Sequence, residues 1–153
     1  ALTQEQTQQW VDRAISAQID LGFEAPDSPL FIKGQPLLLA ELLNNLIDNA
    51  LRYTPAQGHV TVSVAQRDHH IIVAVEDTGQ GIPESDRERV FDRFYRVLGT
   101  KTDGSGLGLA IVREIAIQHA ASIHLLDPLQ TTLPKGGTRV EVRFDRLTAE
   151  SQD

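Results

Sequence analysis

The stretch VTVSVAQRDHHIIVAVED, residues 60–77, decides the predicted fold. Apolar and polar residues alternate over residues 60–66, a mostly apolar run occupies residues 70–77, and the polar tripeptide RDH separates them. This pattern predicts two neighbouring strands joined by a short turn. Strands joined in this way run antiparallel, so the stretch argues against a purely parallel, doubly wound sheet.

The elements that flank this strand pair complete the fold prediction. Apolar residues at helical spacing predict helices at residues 3–17, 35–53 and 107–119. Shorter apolar or alternating runs predict further strands at residues 19–25, 30–33, 122–127 and 138–144. Together they predict an α/β (α+β) fold: a two-layer α/β sandwich whose mixed, mostly antiparallel sheet of about five strands is covered on one face by about three helices.

Length and composition limit the classes of protein to consider. The 153 residues, 41% hydrophobic and 23% charged, suit one soluble domain with an N-terminal helix (1–18), a core (19–145) and a polar tail (146–153). The net charge of −7 argues against a nucleic-acid surface, and the lack of cysteine excludes disulfides and thiolate metal sites. No apolar run is long enough to span a membrane. Because the chain has no methionine, we expect a fragment whose membrane anchor, if any, lies outside it.

The segment DGSGLGLAIVREIAIQH, residues 103–119, places three glycines on alternate positions immediately before a predicted helix. The spacing G-x-G-x-G differs from the dinucleotide fingerprint G-x-G-x-x-G, and no strand is predicted before it. Glycines allow a close backbone approach to a ligand, and a helix N-terminus attracts anions. A phosphate-binding turn and a flexible hinge or packing loop both remain open from this segment alone.

A polar stripe follows the apolar face of helix 35–53. Glu41, Asn45 and Asn49 recur every four residues, and Arg52 extends the same line. Asparagine is unfavourable inside helices, and a merely solvated face would more often carry Glu, Lys or Gln. Amide oxygens suit Mg²⁺ that is otherwise held by water and phosphate. The stripe therefore indicates either a solvated face or one wall of a magnesium-phosphate site.

A third candidate lies in EDTGQGIP, residues 76–83, where Asp77 ends a strand just before Gly79 and Gly81. An aspartate that caps a turn is one interpretation. The other is a carboxylate that accepts a hydrogen bond from an exocyclic amine, with glycines that let a flat base lie against the backbone. Calcium fits poorly, because DTGQG lacks the further carboxylates of an EF-hand loop.

Four segments in this order carry a family resemblance. NNLIDNALRYTP, DTGQGIP, FDRFYR and GSGLGL resemble the N, G1, F and G2 boxes of the sensor histidine kinase ATP-binding domain. The superfamily also includes type II topoisomerases, Hsp90 and MutL. The resemblance covers roughly residues 19–145, and FDRFYR favours the kinase branch over the others.

The resemblance implies MgATP as ligand and assigns the residues on its phosphate side. Asn49 would bind Mg²⁺, Asn45 would face the same triphosphate, and Arg52 would contact phosphate, which makes these three the expected catalytic residues. The other expected phosphate contacts lie in or near the ATP lid and the glycine segment: Arg93, Lys101, Gly104, Ser105, Gly106, Leu107, Gly108 and Leu109.

The resemblance also implies an adenine pocket. Asp77 would hold the adenine amine, and Thr138 would help it through a water molecule. The remaining expected contacts flank the base, allow its approach or line its pocket: Tyr53, Gly79, Gly81 and Ile82.

By the same resemblance, the chain would be the catalytic domain of a two-component sensor histidine kinase, transferring the γ-phosphate of ATP to a histidine. None of its own five histidines is followed by the Glu/Asp and Arg of a phosphoacceptor box, so the phosphoacceptor and sensor domains are expected to be absent and the chain should not phosphorylate itself. Its partners would be its own phosphoacceptor domain and then a response regulator, with no nucleic acid and no membrane contact. We expect a monomeric fragment of a homodimer at the cytoplasmic side of the bacterial inner membrane.

Two alternatives remain at this stage. One is an ATPase of the topoisomerase or chaperone branch, which would have a glutamate base at the position of Asn45. The other is a binding module in which ATP only switches an interface.

Overall fold

The predicted strand pair forms a hairpin at the centre of the molecule. The computed structural model describes residues 2–79, 91, 108–127 and 137–145. Within them β2 (His59–Arg67) and β3 (His70–Asp77) pair antiparallel from Val60↔Asp77 to Arg67↔His70. The two residues of the connecting turn include Asp68 at φ 57°, a left-handed conformation that Asp tolerates better than most residues.

Three further strands extend the hairpin into one sheet. They are β1 (Asp20–Glu24), β4 (Ser122–Leu126) and β5 (Thr138–Asp145), and the spatial order is β1-β2-β3-β5-β4. β1 pairs parallel with β2, whereas the other neighbours pair antiparallel. The prediction of a mixed, mostly antiparallel five-stranded sheet is confirmed.

Helices cover one face of this sheet. α3 (Pro36–Tyr53) starts with Pro36 in its first turn, where the missing N–H costs no hydrogen bond. α4 (Gly108–Gln118) lies against α3. Their apolar faces share one core with alternate residues of the strands, and its fully buried members include Leu42, Leu46, Ile47, Val60, Val62, Val112 and Val142. The two-layer α/β sandwich is therefore confirmed.

The prediction of one continuous N-terminal helix is wrong. The segment forms two short helices, α1 (Leu2–Gln8) and α2 (Val11–Ser16), with a break at Gln9 and Trp10. The physical reason is a tertiary contact: the indole N–H of Trp10 donates a 2.9 Å hydrogen bond to Oδ1 of Asn44 on α3. Helical spacing in the sequence does not contain that bond.

The predicted strand at residues 30–33 is also wrong. This segment has no ladder hydrogen bonds and connects β1 to α3 in an irregular path. The apolar residues of this segment reflect packing on the core rather than strand pairing, because Ile32 lies against the core while Phe31 remains 60% exposed. Prolines at 26 and 29 interrupt the chain just before it.

The face of the sheet opposite the helices holds a buried charge cluster on β5. Glu141 is only 1% exposed, and Arg139 and Arg143 bind its two carboxylate oxygens at 2.7 and 3.1 Å. Arg139 also reaches Glu76 on β3 at 3.1 Å. Burial alone would raise the pKa of Glu141, but the hydrogen bonds from the two arginines outweigh it and hold the pKa below its usual value.

We expect Glu141→Gln to lower the free energy of unfolding by about 3 kcal/mol at pH 7, because it leaves two arginines without their shared anion. Urea unfolding measures this. The control is Asp145→Asn, at an exposed carboxylate that pairs with His70 at 3.6 Å, which should change stability by less than about 1 kcal/mol. Equal losses in the two variants would show that the cluster contributes no more than an exposed pair.

Candidate functional site

The polar stripe of α3 lies next to the beginning of α4. Nδ2 of Asn45 donates a 2.8 Å hydrogen bond to the carbonyl oxygen of Glu41, one turn earlier. Its oxygen Oδ1 lies beside Gly108, 3.4 Å from the position that a Cβ atom would take on that glycine. Asn49, partly buried, follows one turn later on the same side of the helix. The structure thus joins two segments that were separate candidates in the sequence.

The N-terminus of α4 is the kind of helix end that can bind an anion. The helix begins at Gly108 and runs for 11 residues. The first amides of such a helix lack partners within it and lie at the positive end of its dipole. Leu109, expected among the phosphate contacts, buries its side chain in the core, so it can offer a ligand only its backbone N–H. A phosphate group at this end would have the neutral amide oxygen of Asn45 beside it.

Other polar residues of α3 have structural partners. Asn44 accepts the hydrogen bond from Trp10, which explains this mid-helix asparagine by packing. Asp48 binds Arg13 at 2.7 Å and Nε of Arg52 at 3.0 Å. Asp48 is thus one partner of the Arg52 guanidinium, and the expected contact between Arg52 and phosphate stays a prediction.

Asp77 lies at the end of β3 and is 8% exposed. Its Oδ1 accepts a 2.9 Å hydrogen bond from the backbone N–H of Gly79, so the side chain does cap the turn. The backbone N–H of Thr138, its cross-strand neighbour, also bonds to the carboxylate. A carboxylate has about four lone-pair positions, so capping and ligand binding are compatible.

Burial raises the pKa of Asp77 from 3.8 to about 6, because the charged form loses hydration. The N–H groups of Gly79 and Thr138 lower the pKa, and the nearby charge of Glu76 raises it. A buried carboxylate that is ionised at neutral pH and retains free lone pairs is a strong acceptor for an N–H donor. A pKa perturbed in this way is typical of a functional site.

The backbone around Gly79 packs closely against the end of α3. A Cβ atom on Gly79 would overlap the carbonyl oxygen of Tyr53, the last residue of that helix. α3 therefore runs along the whole candidate site, from Asn45 beside α4 to Tyr53 beside the Asp77 turn. Eight residues of helix correspond to roughly 12 Å. The two ends of the site are thus separated by a distance that suits an extended ligand.

Two parts of this region were missed by the sequence analysis. Thr78 fastens the Asp77 turn to β2, since its Oγ1 accepts a 2.9 Å hydrogen bond from the N–H of His59 and its own N–H donates to the His59 carbonyl at 3.1 Å. The pair between Glu76 and Arg139 ties β3 to β5 one residue before Asp77. In the sequence, the alternation of charged and apolar residues in TRVEVRF was the signal that could have indicated the pair between Glu76 and Arg139.

Several expected site residues lie outside the part of the chain that the structure describes. Their roles stay predictions: Gly81, Ile82, Arg93, Lys101, Gly104, Ser105, Gly106 and Leu107.

Three of the histidines, none of which is followed by the residues of a phosphoacceptor box, make structural hydrogen bonds or polar contacts. His119 holds the end of α4 to the start of α3, because Nε2 accepts a 3.1 Å hydrogen bond from the N–H of Gln35 and Nδ1 lies 2.8 Å from the carbonyl of Ile115. His59 lies 3.2 Å from Asp20, and His124 lies 2.9 Å from a neighbouring serine hydroxyl.

Comparison with known proteins decides the family. Residues 34–148 match the family described as "Histidine kinase-, DNA gyrase B-, and HSP90-like ATPase". The chain belongs to this family. The matched region contains α3, the Asp77 turn and the start of α4, so the predicted relationship to the ATP-binding domain of sensor histidine kinases is confirmed.

Individual relatives are sensor histidine kinases. The chain is 36% identical over 138 residues to "Sensor histidine kinase RppB" of Synechocystis, covering 88% of this chain and 30% of that protein. The solved "Mycobacterial sensor histidine kinase MprB" superimposes with a TM-score of 0.80 at 28% identity, covering 94% of this chain and 95% of that one. Full-length ShkA in complex with AMPPNP gives a TM-score of 0.80 at 26% identity, covering 97% of this chain and 30% of ShkA.

The chain is therefore an ATPase domain of the histidine kinase type, and membership of a family of ATPases supports ATP as its ligand. It spans between 17% and 30% of the length of the first curated relatives that it matches. In the ranges that the structure describes, no helix combines the length and the hydropathy needed to cross a membrane.

The raised pKa of Asp77 predicts a specific pH dependence of stability. Between about pH 4 and pH 6 the folded protein holds a proton on Asp77 that the unfolded chain has lost, so the contribution of this group falls as pH rises through that window and then levels off. Asp77→Asn removes this contribution. Urea unfolding should therefore show the wild type losing stability relative to Asp77→Asn between pH 4 and pH 6, and a constant difference above pH 7. A difference that does not change with pH would show that Asp77 titrates normally.

Proposed function

We propose that this chain binds MgATP and supplies the γ-phosphate for phosphorylation of a histidine in the phosphoacceptor domain of a two-component sensor kinase. The observation that carries the proposal is the meeting of Asn45 on α3 with Gly108 at the start of α4. It brings a neutral oxygen ligand and an anion-binding helix end together, which is the combination that a metal-bound triphosphate requires.

The described residues fit such a ligand on its phosphate side. The N-terminal amides of α4 would bind phosphate oxygens, and Asn45 and Asn49 offer uncharged amide oxygens from the facing helix. Mg²⁺ keeps most of its ligands as water and phosphate, so one or two protein oxygens suffice, with Asn49 as the proposed protein ligand. When bound, the metal ion would neutralise charge on the phosphates.

The described residues also fit an adenine base at the other end of α3. The buried carboxylate of Asp77 would accept a hydrogen bond from the exocyclic amine, and Thr138 stands beside it on β5. A Cβ atom on Gly79 would overlap the carbonyl oxygen of Tyr53, so this glycine lets the Asp77 turn pack against the end of α3 and keeps the carboxylate beside that helix. Guanine carries a carbonyl oxygen where adenine carries the amine. That oxygen cannot donate a hydrogen bond, and the negatively charged carboxylate would repel it.

Transfer to a protein fits the site better than hydrolysis. Hydrolysis needs a base to activate water, whereas the amide of Asn45 cannot take up a proton near neutral pH. Phosphoryl transfer depends mainly on positioning and on charge neutralisation, which the amides of α4 and the asparagines of α3 would supply.

The partners of this reaction follow from the proposed role. The acceptor histidine would lie in the phosphoacceptor domain of the same sensor kinase, and a response regulator would then receive the phosphate. In this proposal residues 1–153 form the single catalytic domain, monomeric as a fragment, of a homodimeric kinase at the cytoplasmic side of the bacterial inner membrane.

The direct test mixes this chain with the phosphoacceptor domain of its own kinase and γ-labelled ATP. Label should appear on the acceptor domain and should be alkali-stable and acid-labile, as expected for phosphohistidine. Nucleotide binding without any transfer would overturn the proposal in favour of an ATP-dependent switch. Steady release of phosphate by the chain alone would overturn it in favour of an ATPase.

The asparagines of α3 provide a matched comparison. We expect Asn49→Ala to weaken Mg²⁺-dependent ATP binding at least tenfold, which corresponds to about 1.4 kcal/mol, and Asn44→Ala to change it less than about twofold. Both variants lose an amide from the same helix, but Asn44 bonds to Trp10 and would lower stability instead. Titration calorimetry with ATP in magnesium and in EDTA measures the affinities. Equal effects of the two substitutions would show that the wrong side of α3 has been assigned.

A further inference from the structure

A cavity of about 410 Å³ opens at the end of the sheet opposite to Asp77. Its inner wall is formed by side chains of four strands and of α3, among them Phe23, Val64, Val73, Phe144 and Leu42. Residues 2–4 of α1 and part of the irregular segment 25–32 form its outer wall. Its volume falls within the roughly 300–1,000 Å³ that is typical of small-molecule sites.

We propose that this cavity is a second ligand site, which takes an apolar chain that carries a cationic head group. The proposal does not depend on the nucleotide site. Val64, which lines the cavity, follows Val60, the partner of Asp77, by four residues of β2. Four residues of strand correspond to roughly 13 Å, so the two ligands would not compete for space.

The apolar part of the proposed ligand follows from the inner wall. Water in a space lined by valine, leucine and phenylalanine would find few hydrogen-bond partners, whereas an empty space of this size forfeits the contacts of its lining. Both situations are unfavourable relative to an apolar occupant. The aliphatic and aromatic walls have no described polar group that would orient a more polar molecule at this depth.

The cationic part follows from the mouth. Among the described residues that line the cavity, the polar side chains are Thr3, Gln4, Ser28 and Asp27, and Asp27 carries the only charge. The net charge of the chain, −7, reinforces this sign. A carboxylate or phosphate head would meet repulsion at this mouth, and a quaternary ammonium head would meet attraction.

The test compares three probes with the same ten-carbon chain: decyltrimethylammonium and decanoate, each below its critical micelle concentration, and decanol below its solubility limit in water. Titration calorimetry on the complete chain without nucleotide should show saturable binding at one site, with the cation bound about fivefold more tightly than decanoate, a ratio that exposed charges can supply. Asp27→Asn should remove this preference and leave binding of decanol unchanged.

Two variants fill the cavity. Val64→Phe adds volume to its inner wall. Phe23→Trp adds volume at β1, where Phe23 also lines the cavity. Because Phe23 is only partly buried, this second substitution should disturb folding less. Each should weaken all three probes at least tenfold while circular dichroism shows a folded domain. The matched control is Leu37→Phe, since Leu37 is 86% exposed on α3 and should leave binding unchanged. Undiminished binding in folded Phe23→Trp, equal loss in Leu37→Phe, or equal affinity for cation and carboxylate would overturn the proposal.

Discussion

The rest of the structure depends on the packing of α3 against the sheet. Leu46 and Ile47 are almost completely buried in the same core as Val62 and Val142. Burial of each such side chain is worth about 1.5–3 kcal/mol, so any rotation of the helix that exposed several of them would be strongly unfavourable. That constraint fixes the side of α3 that carries Asn45. The polar stripe therefore lies where α4 begins because the apolar stripe cannot lie elsewhere.

The Asp77 turn shows how the same framework supports a buried charge. Burial opposes ionisation of Asp77, whereas the backbone N–H groups of Gly79 and Thr138 favour it. The result is a carboxylate whose pKa lies near 6 and which is mostly ionised at neutral pH, because these amides offset part of the effect of burial. Thr78 and the pair between Glu76 and Arg139 hold the strands that provide them.

Much of the fold could be predicted because periodicity reports which residues a sheet or helix buries. The hairpin at 60–77 and α3 are of this kind, and both were predicted close to their observed bounds. The failures occurred where a single long-range contact decides the path. Trp10 breaks the N-terminal helix by bonding to α3, and residues 30–33 pack on the core without joining the sheet. The depth at which Glu141 is buried was likewise not predictable, because it depends on arginines that fold over it.

By itself, the sequence determined the strand pair, the amphipathic character of α3 and the order of the four boxes that mark the family. It also nominated Asn45, Asp77 and the glycine segment as candidates. Only the tertiary structure decided which asparagine serves packing and which lies beside the start of α4, since Asn44 is bonded to a residue 34 positions away and Asn45 lies beside Gly108. Periodicity tells which side of a helix is buried, but the partner of each polar side chain depends on how separate elements pack together.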